Sequence, residues 1–185
     1  MDKVIKYSDF IMKKLLGALL LISMLFTSSC LFGPSTKRVM SYRYNNVFLS
    51  GRDHFQVGGL PPTWDRFRVK AYAIAFHNEV LGSTISVDAF CGPAYEDAPL
   101  ATLTSQLFAG VENYEVTSSD EFMLDERGAL RTISTGRVDG VSLTYDTVVI
   151  KKNKCIIDFM LISPDSNYFE AKNDFENFFY AFHYE

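Results

Sequence analysis

Ala129-Leu-Arg-Thr-Ile-Ser-Thr-Gly-Arg-Val138-Asp139-Gly140-Val141-Ser-Leu-Thr-Tyr-Asp-Thr-Val-Val-Ile150-Lys151 is two β-rich runs joined by the dipeptide Asp139-Gly140. Both residues of that pair tolerate positive φ, which a two-residue hairpin turn requires, so the stretch predicts antiparallel strands over 129–138 and 141–151. Tyr114 to Leu124 reads as the strand before them, turning at Glu126-Arg127-Gly128, and Lys154 to Ile162 as the strand after them, turning at Lys152-Asn153. Loops this short between successive strands make an antiparallel meander.

Helices flank the meander. Asp97 is placed to cap a helix over 98–109 whose Leu100, Leu103, Thr104 and Leu107 share one face, with Gly110 placed to end it. Ser163 as cap and Pro164 at the first helical position open a second helix over 164–183. Its Tyr168, Ala171, Lys172, Phe175, Phe179 and Phe182 recur at three- and four-residue steps, a stripe that packs on a sheet, and His183 to Glu185 read as its frayed end. Although Phe-rich, this helix offers Glu170, Asp174 and Glu176 against Lys172, the wrong polar face for a helix lying on a membrane. Toward the N-terminus, Val47 to Val57, Arg68 to His77 and Thr84 to Cys91 supply further strands, punctuated by Pro61-Pro62 and Leu81-Gly82-Ser83. The fold class is α+β, an antiparallel sheet of about six to seven strands packed with two main helices.

The segment Phe55-Gln-Val-Gly-Gly-Leu60-Pro61-Pro62-Thr63-Trp64 is similar to the "strand, Leu-Pro, short gap, Trp" opening of PsbP-like domains. Over residues 45–184 the order of strands, helix, hairpin meander and closing helix continues that likeness. It implies an α/β/α sandwich with the sheet between helices. The family includes photosystem-associated subunits, a nuclear-transport factor and many bacterial lipoproteins, so the resemblance implies binding or assembly rather than catalysis. It carries no catalytic residue over, and fold alone does not decide function.

At the N-terminus, Lys13-Lys14 precedes an apolar run that ends in Phe26-Thr27-Ser28-Ser29-Cys30. A positive start, an apolar stretch too short to span a bilayer and small residues before a cut describe an export signal. It resembles a bacterial lipoprotein signal, although Thr27 stands where that pattern usually has Leu. The resemblance implies cleavage before Cys30 and fatty acylation of its thiol; the alternative is an ordinary signal cut nearby. Residues 1–29 are therefore read as signal, with 1–11 a misassigned start because Met12 directly precedes the lysine pair, 30–44 as anchor linker and 45–185 as a single domain. Leu31 replaces the Asp that typically retains lipoproteins at an inner membrane, which points to the outer membrane with the domain facing the periplasm.

Of the 185 residues, removing 1–29 leaves 156, enough for one core. The whole chain has a net charge of −4, and the removed part holds Lys3, Lys6, Lys13 and Lys14 against Asp2 and Asp9, so −6 is left. An acidic balance disfavours a nucleic-acid partner. Once Cys30 is assigned to lipid, Cys91 and Cys155 stand at the edges of two apolar runs; they either form a disulfide or lie buried as two thiols.

Motifs that carry chemistry are missing: no GxSxG, GxxxxGK[ST], GxGxxG, HExxH or EF-hand loop occurs. No CxxC or closely spaced His/Cys pair suggests a metal, and no cofactor is implied. His54 and His77 are the candidates for a general base, each equally readable as a surface or strand-end histidine. Asp120, Glu121, Asp125 and Glu126 read as a solvated strand edge rather than a Ca²⁺ loop. Trp64, Arg66 and Arg68 form a candidate interface, unless Trp64 plugs the core where the chain turns. The expected protein is a lipid-anchored envelope component that binds or assembles with another envelope protein. The rivals are a periplasmic module holding a small ligand between sheet and helix, and a hydrolase using His54 or His77.

Overall fold

Four reversals of the chain are two-residue turns in which both residues take positive φ: Tyr44-Asn45, Asp125-Glu126, Asp139-Gly140 and Asn153-Lys154. Such turns carry the twist that antiparallel neighbours need, and they set the register of the strands they join. The computed structural model describes residues 37–50, 53–69, 73–92 and 98–185, with side chains from Ser41 onward. Residues 1–29, read as signal, Cys30, the first part of the expected linker and Asp97 lie outside the described residues.

The meander comprises β7 (Glu112–Leu124), β8 (Arg127–Val138), β9 (Val141–Lys152) and β10 (Cys155–Pro164). Beyond β10 the sheet continues through β6 (Ser83–Cys91) and β5 (Ile74–Asn78) to β4 (Asp65–Phe67) at its edge. Of the expected strand over Arg68 to His77, Ile74 to His77 belong to β5, while β4 ends at Phe67, just before the expected start. β1 (Lys37–Arg43) pairs β6 through Lys37 and Arg38, then leaves the large sheet to pair β2 (Asn46–Leu49). β3 (His54–Gln56) and β11 (His183–Tyr184) complete this smaller sheet. Pairing joins eleven strands, more than the sequence suggested, because the linker and the C-terminal end both form strands.

Two helices cover opposite faces of the large sheet. α1 (Leu100–Gln106) is shorter than the expected 98–109 and starts after Pro99, whose fixed φ suits the position before a first turn. α2 (Tyr168–Tyr180) starts later than expected, because Ser163 and Pro164 belong to β10, where Pro164 lies opposite Leu143. Nor is the chain end a frayed helix: Ala181 closes α2, and His183–Tyr184 pair with β3.

The core lies under α2. Ile157, Phe159 and Leu161 of β10, with Ile85 and Val87 of β6, face Phe175, Phe178 and Phe179, all fully buried. Burying each such side chain is worth about 1.5–3 kcal/mol. Polar contacts pin the same helix. Trp64 Nε1 donates to Asp174 at 2.8 Å, Arg131 bonds Asp146 and Glu176, and Tyr168 donates its hydroxyl to Asp146. On the opposite face, Leu103 of α1 packs against Val149 and Ile156. Among the described residues no helix is long and apolar enough to cross a membrane.

Candidate functional site

Alternation along β10 places Ile157 and Phe159 under α2 and turns Ile156 and Asp158 to the α1 face. α1 is too short to cover that face. Between it and the sheet lies a cavity of about 280 Å³ lined by Phe90, Leu103, Gln106, Leu107, Ile156 and Asp158. Its walls are apolar apart from the Gln106 amide and one carboxylate.

One oxygen of that carboxylate, Asp158 Oδ1, is sealed from solvent and lacks a hydrogen-bond partner among the described residues. Its register partners are Asp88 on β6 and Val149 on β9. Asp88 thus sets a second carboxylate beside it, with one oxygen accepting from the Ala89 N–H. α1 contributes no charged side chain, and Lys151 on the same face of β9 donates to the Ala98 carbonyl at 2.7 Å. Burial, reinforced by the charge of Asp88, pushes the Asp158 pKa up to about 7.

A raised carboxylate pKa means the folded state holds the proton more tightly than the unfolded chain, so stability is full below about pH 4 and lost as pH rises through 7. Asp158→Asn removes the buried charge. We expect it to stabilise the protein by about 1–2 kcal/mol at pH 8 and by little at pH 4, the full shift being discounted for partial exposure. Urea melts at the two pH values measure this, and equal effects at both would refute the buried charge.

A second hollow of about 200 Å³ is lined by Arg127 and residues 151–156, at the β9–β10 turn. Two of its four cations are engaged: Lys152 bonds the Asp125 carboxylate and Lys151 the Ala98 carbonyl. The cleft under α1 is therefore the better candidate site.

The residues singled out from sequence fall in separate places. Trp64 is 5% exposed and belongs to the core. Arg66 lies over the Tyr42 ring and donates to the Tyr42 carbonyl, while Arg68 is exposed beyond β4. Cys91 and Cys155 are register partners joined by a disulfide. His54 pairs with Glu185 at 2.9 Å and stacks on Phe48 in the small sheet. His77 meets the Thr84 hydroxyl at 3.2 Å across β5 and β6. Asp125 is not a solvated edge residue: its carboxylate takes Lys152, His183 and the Tyr184 N–H, and those bonds hold its pKa below the usual value against the opposing effect of burial.

Sequence reasoning passed over Asp158 itself. A carboxylate inside the apolar run Cys155-Ile-Ile-Asp-Phe159 is a signal that was there to read, but its meaning depends on pairing with Asp88, which only register supplies.

No protein-family model and no curated protein matches the chain. Solved structures do. The chain is similar to cyanobacterial PsbP (CyanoP) from Synechocystis sp. PCC 6803, with a TM-score of 0.55 and 13% identity over 85% of this chain and 96% of that one. It is also similar to LpqN of Mycobacterium tuberculosis, a protein involved in cell envelope biogenesis, with a TM-score of 0.54 and 11% identity over 81% and 90%. A third likeness is to a protein from Bacteroides thetaiotaomicron, with a TM-score of 0.52 and 13% identity over 71% of this chain and 45% of that one. Identities this low show the fold alone: the domain has the PsbP-like α+β fold.

Proposed function

We propose that the chain is a lipoprotein of the bacterial cell envelope, acylated at Cys30, whose domain works by binding a small ligand in the cleft under α1. The observation that carries the binding role is the cleft itself, apolar walls with the Asp158 side chain and the Gln106 amide in its lining. The Lys13-Lys14 start and the apolar run ending in Cys30 support the anchor. The Cys91–Cys155 disulfide supports an oxidising compartment such as the periplasm. Leu31 after the cysteine favours the outer membrane. The hydrolase alternative gains nothing from the placement of its histidines, since His54 and His77 stand in different sheets and neither lines the cleft.

A second reading, assembly with another envelope protein, is favoured by the edge at β4. Among the described residues this strand pairs with β5 alone, and it presents Phe67, 39% exposed, between Arg66 and Arg68. An open strand edge with an aromatic and two arginines is a docking surface of ordinary composition.

The anchor is tested by the intact mass of the full chain extracted from bacterial membranes, beside Cys30→Ala. A mass for residues 30–185 plus acyl chains, absent in the variant, is the expected result. A soluble, unacylated wild-type chain would sink the lipoprotein reading.

A further inference from the structure

The chain is acidic as a whole, with 22 Asp and Glu against 18 Lys and Arg, yet its densest run of positive charge folds around one hollow. Lys151, Lys152 and Lys154 meet Arg127 in the lining of the space of about 200 Å³ at the β9–β10 turn. Lys152 is paired with Asp125, and Lys151 donates to the Ala98 carbonyl. Arg127 and Lys154 are exposed, and among the described residues neither makes an ion pair or a side-chain hydrogen bond. Two acidic residues lie nearby in the chain. Asp125 is taken by Lys152, His183 and the Tyr184 N–H, and Glu126, next to Arg127, is not part of the lining. An anion entering the hollow therefore meets two cations that the fold has not paired.

The hollow stands at the end of the sheet where the chain leads back to Cys30. Lys37 of β1 pairs with Cys91 of β6, Cys91 with Cys155 of β10, and Cys155 with Lys152 of β9, so these four residues occupy one row across the sheet. The Cys91–Cys155 disulfide ties the two middle strands at that row. Six residues, 31–36, separate Cys30 from Lys37, a span of at most about 25 Å at full extension. An acyl group on Cys30 would thus hold this row within that distance of a lipid surface, and a tether so short keeps headgroups at high effective concentration around it.

We infer that the hollow binds the phosphate group of an anionic phospholipid headgroup, Arg127 giving a fork of N–H donors to its oxygens and Lys154 a compact positive charge. The inference rests on acylation of Cys30 for the source of the phosphate, whereas the anion chemistry rests on the hollow alone. With a headgroup bound there, the anchor and the β9–β10 turn meet the membrane together and fix which end of the sheet faces it.

The test uses the full chain extracted from bacterial membranes into neutral detergent micelles, its acylation read from the intact mass of the same sample. Phosphatidylglycerol or phosphatidylcholine is mixed into the micelles, and inorganic phosphate is titrated separately. Amide resonances of Asn153, Lys154 and Ile156 report the hollow. Phosphatidylglycerol should shift them saturably, inorganic phosphate more weakly and phosphatidylcholine least. Arg127→Gln with Lys154→Gln should weaken the phosphatidylglycerol response by about tenfold or more. Arg43→Gln with Arg68→Gln removes equal charge from exposed positions outside the hollow and should leave that response unchanged. The wild-type comparison among probes stands even if a variant fails to fold. Shifts with inorganic phosphate, but none with phosphatidylglycerol beyond those of phosphatidylcholine, would overturn the lipid as source. Equal weakening by the two double variants would overturn the hollow as a site, as would no shift with either anion. Phosphatidylglycerol shifts in a chain whose mass shows no acyl group would support the hollow and sink the anchor alone.

Discussion

Arg131→Ala should destabilise the domain by about 3–5 kcal/mol, the cost of leaving a buried charge without its partner. Asp146 is the charge in question. Its side chain is fully buried, and Arg131 grips it through Nε and Nη2 at 2.9 and 2.6 Å. The same guanidinium reaches Glu176 of α2 at 2.8 Å and lies 5.3 Å from the centre of the Phe179 ring. Burial disfavours the Arg131 charge, but the two carboxylates outweigh it and hold its pKa above the ordinary value. Without Arg131, the Tyr168 hydroxyl is the one hydrogen-bond donor left to the Asp146 carboxylate among the described residues, and a hydroxyl cannot neutralise it. The melting temperature should fall by on the order of 10 °C, given about 2–4 °C per kcal/mol for a domain of this size. Arg131→Met with Asp146→Asn removes both charges and should recover much of the loss. A single variant within about 1 kcal/mol of wild type by urea denaturation would show that the pair is not the link between sheet and helix.

Gly58→Ala is the second large effect, for a steric rather than an electrostatic reason. A Cβ at residue 58 would stand 2.1 Å from the Asn177 carbonyl oxygen and 2.9 Å from Phe178 Cα. Both are backbone atoms of α2 and cannot turn aside. The contact is close because the Gly58 N–H donates to the Phe178 carbonyl at 2.8 Å, satisfying an acceptor near the end of the helix. An alanine must push the chain away from α2, break that bond and loosen Phe178 and Phe179, a loss of about 3 kcal/mol or more. Gly128→Ala is the matched control, since nothing lies within 4 Å of a Cβ there. Equal urea midpoints for the two variants would contradict the close approach.

What could be read from the sequence was what local chemistry decides. Asp139-Gly140 specifies its turn through backbone freedom alone, so β8 and β9 fall where expected. The aromatic stripe of α2 likewise declares a buried face, and the PsbP-like order follows from the sequence of elements. Boundaries set by tertiary pairing were misread. Ser163-Pro164 has the chemistry of a helix start, but Pro164 has a strand neighbour in Leu143, and β10 runs on through it. Lys37–Arg43 looks like a polar linker until β2 and β6 give it partners. The candidate site was hidden for the same reason. Asp158 and Asp88 are seventy residues apart in the chain and meet only when β6 and β10 align. No window of sequence contains both.

α2 and β11 hold the last described residues of the chain, and the sheet face they cover is complete before either is made. A ribosome finishing β10 has already produced Ile85, Val87, Phe159 and Leu161, but not yet Phe175, Phe178 or Phe179 to cover them. In biosynthesis, then, the apolar surface comes first and its cover last. A premature stop after residue 164 would delete no strand of the large sheet, yet it would leave Ile85, Val87, Phe159 and Leu161 without the α2 phenylalanines that cover them, an apolar surface open to water and to other chains.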